Sequence, residues 1–231
     1  MAAMQPDSLA MMKERAARHA ATLVQDGMVI GLGTGSTAFV LLEALAARAL
    51  TGLRFTGIPT SEATAAHARQ LGIPLASLDD GARPDMTIDG ADEVDPQLDL
   101  IKGFGGALLR EKIVAAAAAQ LVIIVDQSKM VEQLGSRNTV PVEVVTFGWV
   151  PTGDALRALG GTVERRMVGD RPFLTDSGNY LLDCHFGPIN RPATLGAQIK
   201  ALTGVVDHGL FLGMASTVIV GHPDRIETRT R

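Results

Sequence analysis

Leu121 to Val125 read LVIIV, five apolar residues in succession with no polar alternation. A strand of that pattern is buried on both faces. A sheet built from such strands must be covered on both sides, which parallel sheets achieve with crossover helices. The N-terminal half supplies the remaining parts. MVIGLG (28–33), RFTGI (54–58) and DMTIDG (85–90) read as further short buried strands, alternating with helical patterns at 36–50, 61–72 and 106–119. A helix over 8–25 precedes them, with Asp7 or Ser8 as its cap and Gly27 just past its end. This alternation predicts an α/β, Rossmann-like domain with a mainly parallel sheet.

The pattern changes after about residue 133. VPVEVV (140–145), TVERRMV (162–168), RPFLT (171–175) and YLLDCHF (180–186) read as strands, short helices are expected near 152–159 and 192–202, and DSGN (176–179) is a hairpin signal. A small α+β domain over 134–207 is the expectation. ASTVIVG (215–221) is again a buried strand of the first type. The chain is therefore expected to return to the large sheet, making residues 1–133 plus 208–231 one domain and the smaller one an insertion near the C-terminus.

Composition removes several classes of function. A net charge of −4, from 21 basic and 25 acidic residues, gives no reason to expect nucleic acid or an anionic membrane as partner. Cys184 is the single cysteine, so no intramolecular disulfide can form, and a reducing cytoplasm is the expected setting. The longest apolar stretch, 113–125, is too short to span a bilayer. The N-terminal segment carries Asp7 and Glu14 and lacks a compact hydrophobic core, which argues against a targeting peptide.

Four segments carry residue types that chemistry needs. In IKGFGGALLREK (101–112), glycines let backbone N–H groups approach an oxyanion closely, and Lys102 adds a positive charge beside them. Glu111 falls in an otherwise apolar helical pattern, where burial can raise a carboxylate's pKa toward that of a base working near neutral pH. It lies two residues after Leu109 and two before Ile113, so its face is ambiguous, and a surface ion pair with Lys112 or Arg110 is the alternative. In GLGTGST (31–37), Gly31, Gly33 and Gly35 permit a tight turn, and Thr34, Ser36, Thr37 and the helix N-terminus present donors to an anion. A dinucleotide fingerprint would need glycine at position 36 and an acid closing the second strand, whereas Ser36 stands there and no acid follows until Glu62. A purely structural turn stays open. DGADEVD (89–95) clusters Asp89, Asp92, Glu93 and Asp95, which suits a divalent cation, sugar hydroxyl groups or simply a solvated loop. The histidines at 19, 67, 185, 208 and 222 show no ligand spacing, and the calcium-loop pattern fails. DQSKMV (126–131) places Lys129 after the most apolar strand, either at the same rim or as an exposed lysine at a helix start.

All four fall at or near the C-terminal ends of expected parallel strands, the rim where open α/β sheets bind ligands. In the order GTGST, DGADE, KGxGGALxREK and SK, joined by TDSGNYLLD (175–183) and GVVDHGLF (204–211), they resemble the ribose-5-phosphate isomerase family of the A type over nearly the whole chain. The resemblance implies an aldose–ketose isomerase that interconverts D-ribose 5-phosphate and D-ribulose 5-phosphate in the non-oxidative branch of the pentose phosphate pathway. It implies no cofactor and no metal, and a homodimer or a dimer of dimers. It implies substrate contacts from Thr34, Gly35, Ser36 and Thr37, from Asp89, Gly90, Ala91 and Asp92, and from Lys102, Gly103, Phe104 and Gly105. Lys129 and Lys13 would hold the phosphate, Glu111 would accept the proton, and Asp89 and Lys102 would complete the catalytic set. Phe104 departs from the family's usual glycine and fits without strain only if its φ is negative.

The residues agree with that chemistry. One base can remove and return a proton between adjacent carbons through a cis-enediolate, while a lysine and backbone N–H groups stabilise the developing oxyanion. Two other classes use the same features: a non-catalytic sugar-phosphate sensor on the same fold, and a nucleotide-dependent oxidoreductase.

Overall fold

The computed structural model describes residues 6–231, with side chains from Ser8 onward. The side chain of Asp7, one of the two expected caps, lies outside the described residues. In chain order the elements are α1 (Pro6–Ala21), β1 (Val29–Leu32), α2 (Ser36–Leu50), β2 (Thr56–Pro59), α3 (Glu62–Gln70), β3 (Met86–Asp89), β4 (Glu93–Val94), β5 (Leu100–Ile101), α4 (Leu108–Ala117), β6 (Leu121–Asp126), β7 (Val140–Val144), α5 (Trp149–Arg157), β8 (Thr162–Arg165), β9 (Met167–Val168), β10 (Arg171–Pro172), β11 (Tyr180–His185), α6 (Pro192–Lys200), β12 (Val205–His208), β13 (Leu210–Phe211), β14 (Thr217–Gly221) and β15 (Ile226–Thr230). They form two compact units. The first comprises Met1–Ala91, Arg110–Met130 and Met214–Arg231, and the second Asp92–Leu109 and Val131–Gly213. Residues 92–109, 131–133 and 208–213 thus group with the second unit.

The first unit is built on a six-stranded sheet in the order β15-β14-β6-β3-β1-β2. The pairs β1–β2, β1–β3, β3–β6 and β6–β14 are parallel, and β15 adds an antiparallel edge. Every residue of β3 and β6 is buried, as an uninterrupted apolar run requires. The core joins Ile30 and Leu32 of β1, Ile88 of β3 and Ile124 of β6 to Leu41, Leu42 and Leu45 of α2 and the alanines of α1. The described span of helix α1 is Pro6–Ala21, so Ser8 lies within the helix rather than at its cap, and the helix ends at Ala21, short of the expected residue 25. There Thr22, Leu23 and Val24 bond back three residues instead of four, and the chain turns toward Gly27 at φ 83°. β15 alternates exposed and half-buried residues, the signature of an edge strand with one covered face.

The second unit holds a four-stranded antiparallel sheet, β12-β7-β11-β8, and a three-stranded one, β13-β5-β4. Val142 and Val144, Leu182, Val163, Leu156 of α5 and Ile199 of α6 form its core. The expected strand at 162–168 is interrupted at Arg166, between β8 and β9. The Arg166 main chain is still bonded on both sides, its N–H donating to Leu181 O and its carbonyl accepting from Phe173 N–H. No helix among the described residues is long and apolar enough to cross a membrane.

Candidate active site

In the first unit the neighbouring parallel strands β1, β3 and β6 end on one edge of the sheet, at Leu32, Asp89 and Asp126. The connection from β1 runs to β2 on one side, while β3 continues to β6 on the other. The ends of β1 and β3 therefore flank the switch point at which doubly wound sheets open a crevice.

The turn after β1 lies directly on Asp89. A Cβ at Gly33 would stand 2.2 Å from Asp89 Oδ1 and 2.6 Å from its Cα, so this approach requires glycine. Gly33 N–H donates to Ile88 O at 3.0 Å, and Thr34 N–H donates to Asp89 Oδ1 at 3.1 Å. The same carboxylate oxygen accepts Gly90 N–H at 2.7 Å. Asp89 is 1% exposed, so the acidic segment is no solvated loop at this position.

Gly35 caps α2 at φ 106° with no side-chain hydrogen bond, and the first turn of α2 carries no acid. Ser36 and Thr37 begin the helix, and Lys13 Nζ on α1 donates to Ser36 Oγ at 3.0 Å. An uncapped helix N-terminus with two hydroxyls and an ammonium group has the donors and the charge that can hold an anion. Lys129 ends the short helical turn after β6. That turn is capped by Asp126, whose Oδ1 accepts Ser128 N–H at 2.9 Å and the Ser128 hydroxyl.

The face of Glu111 is resolved. Ile113 is 50% exposed, while Glu111 is 4% exposed and shares its buried side with Leu108, Val114 and Ala115, at helical spacings of three and four. Val114 seats this side on the sheet. A Cβ at Gly31 of β1 would stand 2.8 Å from Val114 Cγ1, and Thr87 Oγ1 of β3 donates to the Val114 carbonyl at 3.4 Å. Arg110 points elsewhere and pairs with Glu62 at 2.8 Å. Its guanidinium holds the Glu62 carboxyl below the usual carboxylate range.

The second unit carries Asp92 and the Lys102–Gly105 loop. Lys102 is 2% exposed, and its Nζ stands 5.4 Å from the centre of the Phe211 ring, a cation–π contact. Lys102 N–H donates to Gly209 O at 2.9 Å, and a Cβ at Gly209 would stand 2.2 Å from Lys102 O. The glycine and phenylalanine of GVVDHGLF thus bracket the lysine. Gly103 adopts φ 110°, and Leu98 is the one non-glycine with positive φ among the described residues. Phe104 therefore sits in the loop at negative φ without strain. Its N–H donates to Asp92 Oδ2 at 3.1 Å.

Glu93 and Asp95 serve the fold. Glu93 is fully buried and accepts backbone N–H groups from Gly135, Arg137 and Asn138 at 2.6–2.8 Å. Asp95 Oδ1 accepts from Gln97 and Asp99, both at 2.9 Å. TDSGN is likewise a turn. Thr175 Oγ1 and Asn179 Nδ2 donate to the buried Glu143 Oε1, both at 2.9 Å.

Sequence reasoning missed Arg166. Its Nη1 donates to the carbonyls of Gly103 at 2.9 Å and Phe104 at 3.0 Å, and its Nε donates to Asp183 Oδ2 at 2.9 Å. It also missed Thr60, Ser61 and Thr64, which surround the Thr34 hydroxyl. The signal there was weak: Ser61 three residues before Thr64 reads only as a helix cap.

The sequence model of ribose 5-phosphate isomerase A (phosphoriboisomerase A) matches residues 56–225. The ribose-5-phosphate isomerase A of Gloeobacter violaceus is 57% identical over 223 residues, covering 96% of this chain and 97% of its own. The ribose 5-phosphate isomerase structure from Plasmodium falciparum superposes with a TM-score of 0.93 at 40% identity, covering 96% of this chain and 99% of that one. A D-ribose-5-phosphate isomerase in complex with phospho-erythronic acid superposes with a TM-score of 0.92 at 37% identity, covering 95% and 98%. With its mainly parallel sheet and these matches over nearly its full length, the chain belongs to the ribose-5-phosphate isomerase A family.

Proposed function

We propose that Glu111 is the base in the interconversion of D-ribose 5-phosphate and D-ribulose 5-phosphate. The observation that supports this most directly is its burial on the sheet-facing side of α4. Glu111 takes the C2 proton of the open-chain aldose, the C–H electron pair forms the C1–C2 double bond and the carbonyl pair moves onto the C1 oxygen, giving the cis-enediolate. A proton passes from the C2 hydroxyl to the C1 oxygen by way of Asp89, and Glu111 returns its proton to C1 as the C2 oxygen becomes the ketose carbonyl. Lys102 is assigned the charge that develops on the oxygens. Its ammonium is withdrawn from bulk water, and a cation in such surroundings stabilises an oxyanion more strongly than in water. Asp89 exchanges hydroxyl protons and assists ring opening, and Asp92 orients the sugar. Gly90, Ala91, Gly103, Phe104 and Gly105 line the substrate with their backbone.

The phosphate is assigned to the start of α2, where Gly35, Ser36 and Thr37 meet Lys13, with Lys129 as a further point charge. No cofactor or metal enters the proposed steps. A reducing cytoplasm and a homodimer or dimer of dimers complete the reading.

The test is conversion of D-ribose 5-phosphate in the presence of EDTA, wild type beside Glu111→Gln. The variant is expected to lose about 10²–10⁴-fold in kcat, the range of a general base. Wild-type turnover retained in Glu111→Gln would remove the assignment. Sugar-phosphate binding without turnover in the wild type would replace the enzyme with a sensor.

A further inference from the structure

Thr34 has two hydrogen-bond donors, its backbone N–H and its hydroxyl, and both are already in use. The N–H donates to Asp89 Oδ1 at 3.1 Å. The hydroxyl lies 2.8 Å from Thr60 Oγ1, 2.8 Å from Ser61 Oγ and 3.1 Å from Thr64 Oγ1. The direction of these contacts follows from counting protons, since each hydroxyl has one to give. The Thr60 proton goes to the Leu32 carbonyl at 2.9 Å, and the Thr64 proton to the Gly33 carbonyl at 3.0 Å. Ser61 Oγ donates to Thr64 Oγ1 at 2.9 Å and accepts the Thr64 N–H at 3.0 Å as the cap of α3. With those three protons committed, the single Thr34 hydroxyl proton goes to Ser61 Oγ, and the Thr60 and Thr64 oxygens stand in the same cluster without a proton of their own to give it. Thr60, Ser61 and Thr64 are 0%, 5% and 0% exposed, so the acceptors lie inside the protein.

We infer that Thr34 is a positioning residue rather than a ligand of the phosphate, and that Thr60, Ser61 and Thr64 form with it a hydroxyl cluster that sets the site from behind. An anion needs donors, and Thr34 has none left to offer. Its amide fixes Asp89, and its hydroxyl ties the turn after β1 to the start of α3. The two carbonyls that the cluster satisfies, Leu32 and Gly33, are those on which that turn is hung. The phosphate is left to Ser36, Thr37 and Lys13. This inference rests on the proposed catalytic role of Asp89 for its kinetic part, but not for its binding part.

The experiment compares Thr34→Val, Thr34→Ser and Ser36→Ala in turnover of D-ribose 5-phosphate and in binding of inorganic phosphate by calorimetry. Thr34→Val keeps the shape and removes the proton. Its kcat is expected to fall on the order of ten- to a hundredfold through the displaced turn, with KM and the phosphate Kd within about twofold of wild type. Thr34→Ser should restore kcat, and Ser36→Ala should weaken phosphate binding. A Thr34→Val protein that keeps kcat but loses phosphate affinity would overturn the inference. If Thr34→Val does not fold, Thr64→Val carries the same expectation from a residue remote from any ligand, and wild-type kcat there would equally overturn it. A wild type without isomerase activity would refute the functional reading alone, because the phosphate measurement still tells a ligand from a positioning residue.

Discussion

Arg166 donates from Nη1 to the carbonyl oxygen of Phe104 at 3.0 Å, while its guanidinium stands 5.7 Å from the centre of that residue's ring. The same nitrogen reaches the Gly103 carbonyl, and the other edge is paired with Asp183. One side chain therefore holds two consecutive carbonyls of the loop that follows Lys102. A planar fork can do this, and a lysine ammonium cannot satisfy the same set of acceptors in the same geometry. Arg166→Lys is expected to cost about 1–3 kcal/mol in denaturant-induced unfolding, because the pair with Asp183 is only partly shielded from water. It is also expected to lower kcat/KM by about tenfold through the loosened loop. Unchanged kinetics in a measurably destabilised variant would confine Arg166 to the fold.

The loop's tolerance differs sharply between adjacent positions. Phe104 sits at negative φ with 49% of its surface exposed, so Phe104→Gly removes a ring contact with Arg166 and adds backbone freedom, at about 0.5–1 kcal/mol. Activity should stay within a few-fold of wild type. Gly103→Ala meets two obstacles. Its φ is 110°, and its Cβ would stand 2.9 Å from Leu108 Cβ at the start of α4. Strain of this kind costs on the order of 1–3 kcal/mol and moves the segment leading to Glu111, so this variant should lose most of its turnover. Side-by-side kinetics of the two proteins decide the matter, and equal activities would show that the loop adapts freely.

The contrast between these positions also marks what the sequence could and could not disclose. The parallel core was legible because β3 and β6 are buried on both faces and carry apolar residues throughout. β15 was not, because Glu227 and Arg229 on an edge strand look like loop residues until a neighbour is known. The motifs of the candidate site could be read in order along the chain, but their division of labour could not. Glu93 looks like Asp89 in sequence, yet it accepts three backbone N–H groups of a loop more than forty residues away. Ile113 made the face of Glu111 ambiguous, and only the exposure of that isoleucine separates the two sides of α4. Arg166 acts on Gly103 across 63 positions, a relationship that no local pattern encodes.

Cys184 offers a probe of the second unit's integrity. It is fully buried on β11, and burial, reinforced by the nearby charge of Asp183, pushes its thiol up to about 12. Thiolate is the reactive form, so the folded protein at pH 8 should not react with a disulfide reagent over hours, whereas the denatured chain should release one equivalent within minutes. Labelling rates measured across a denaturant series should then follow unfolding of the second unit. Rapid labelling of the native protein would mean that β11 opens locally without global unfolding.

Glu227 gives the acid limb of stability a local contribution at the edge of the large sheet. Arg229 Nε lies 2.6 Å from Glu227 Oε1, and His222 Nε2 lies 3.0 Å from Oε2. His222 Nδ1 in turn contacts Gln127 Oε1 at 2.8 Å, just beyond the end of β6. The Arg229 hydrogen bond, and after it that of His222, hold the Glu227 carboxyl below its ordinary value of 4.5. The unfolded chain therefore takes up this proton more readily than the folded one. The contribution is fully present above the unfolded value and disappears as pH falls through the folded one. The two side chains are 40% and 32% exposed, so solvent screens the pair, and the effect is small and falls with added salt. Glu227→Gln should melt below wild type at pH 7, and the gap in Tm should shrink toward zero as pH falls through and below the ordinary carboxyl value of 4.5. A gap that stays constant across that range would show that the glutamine disturbs packing at β15 rather than removing a charge.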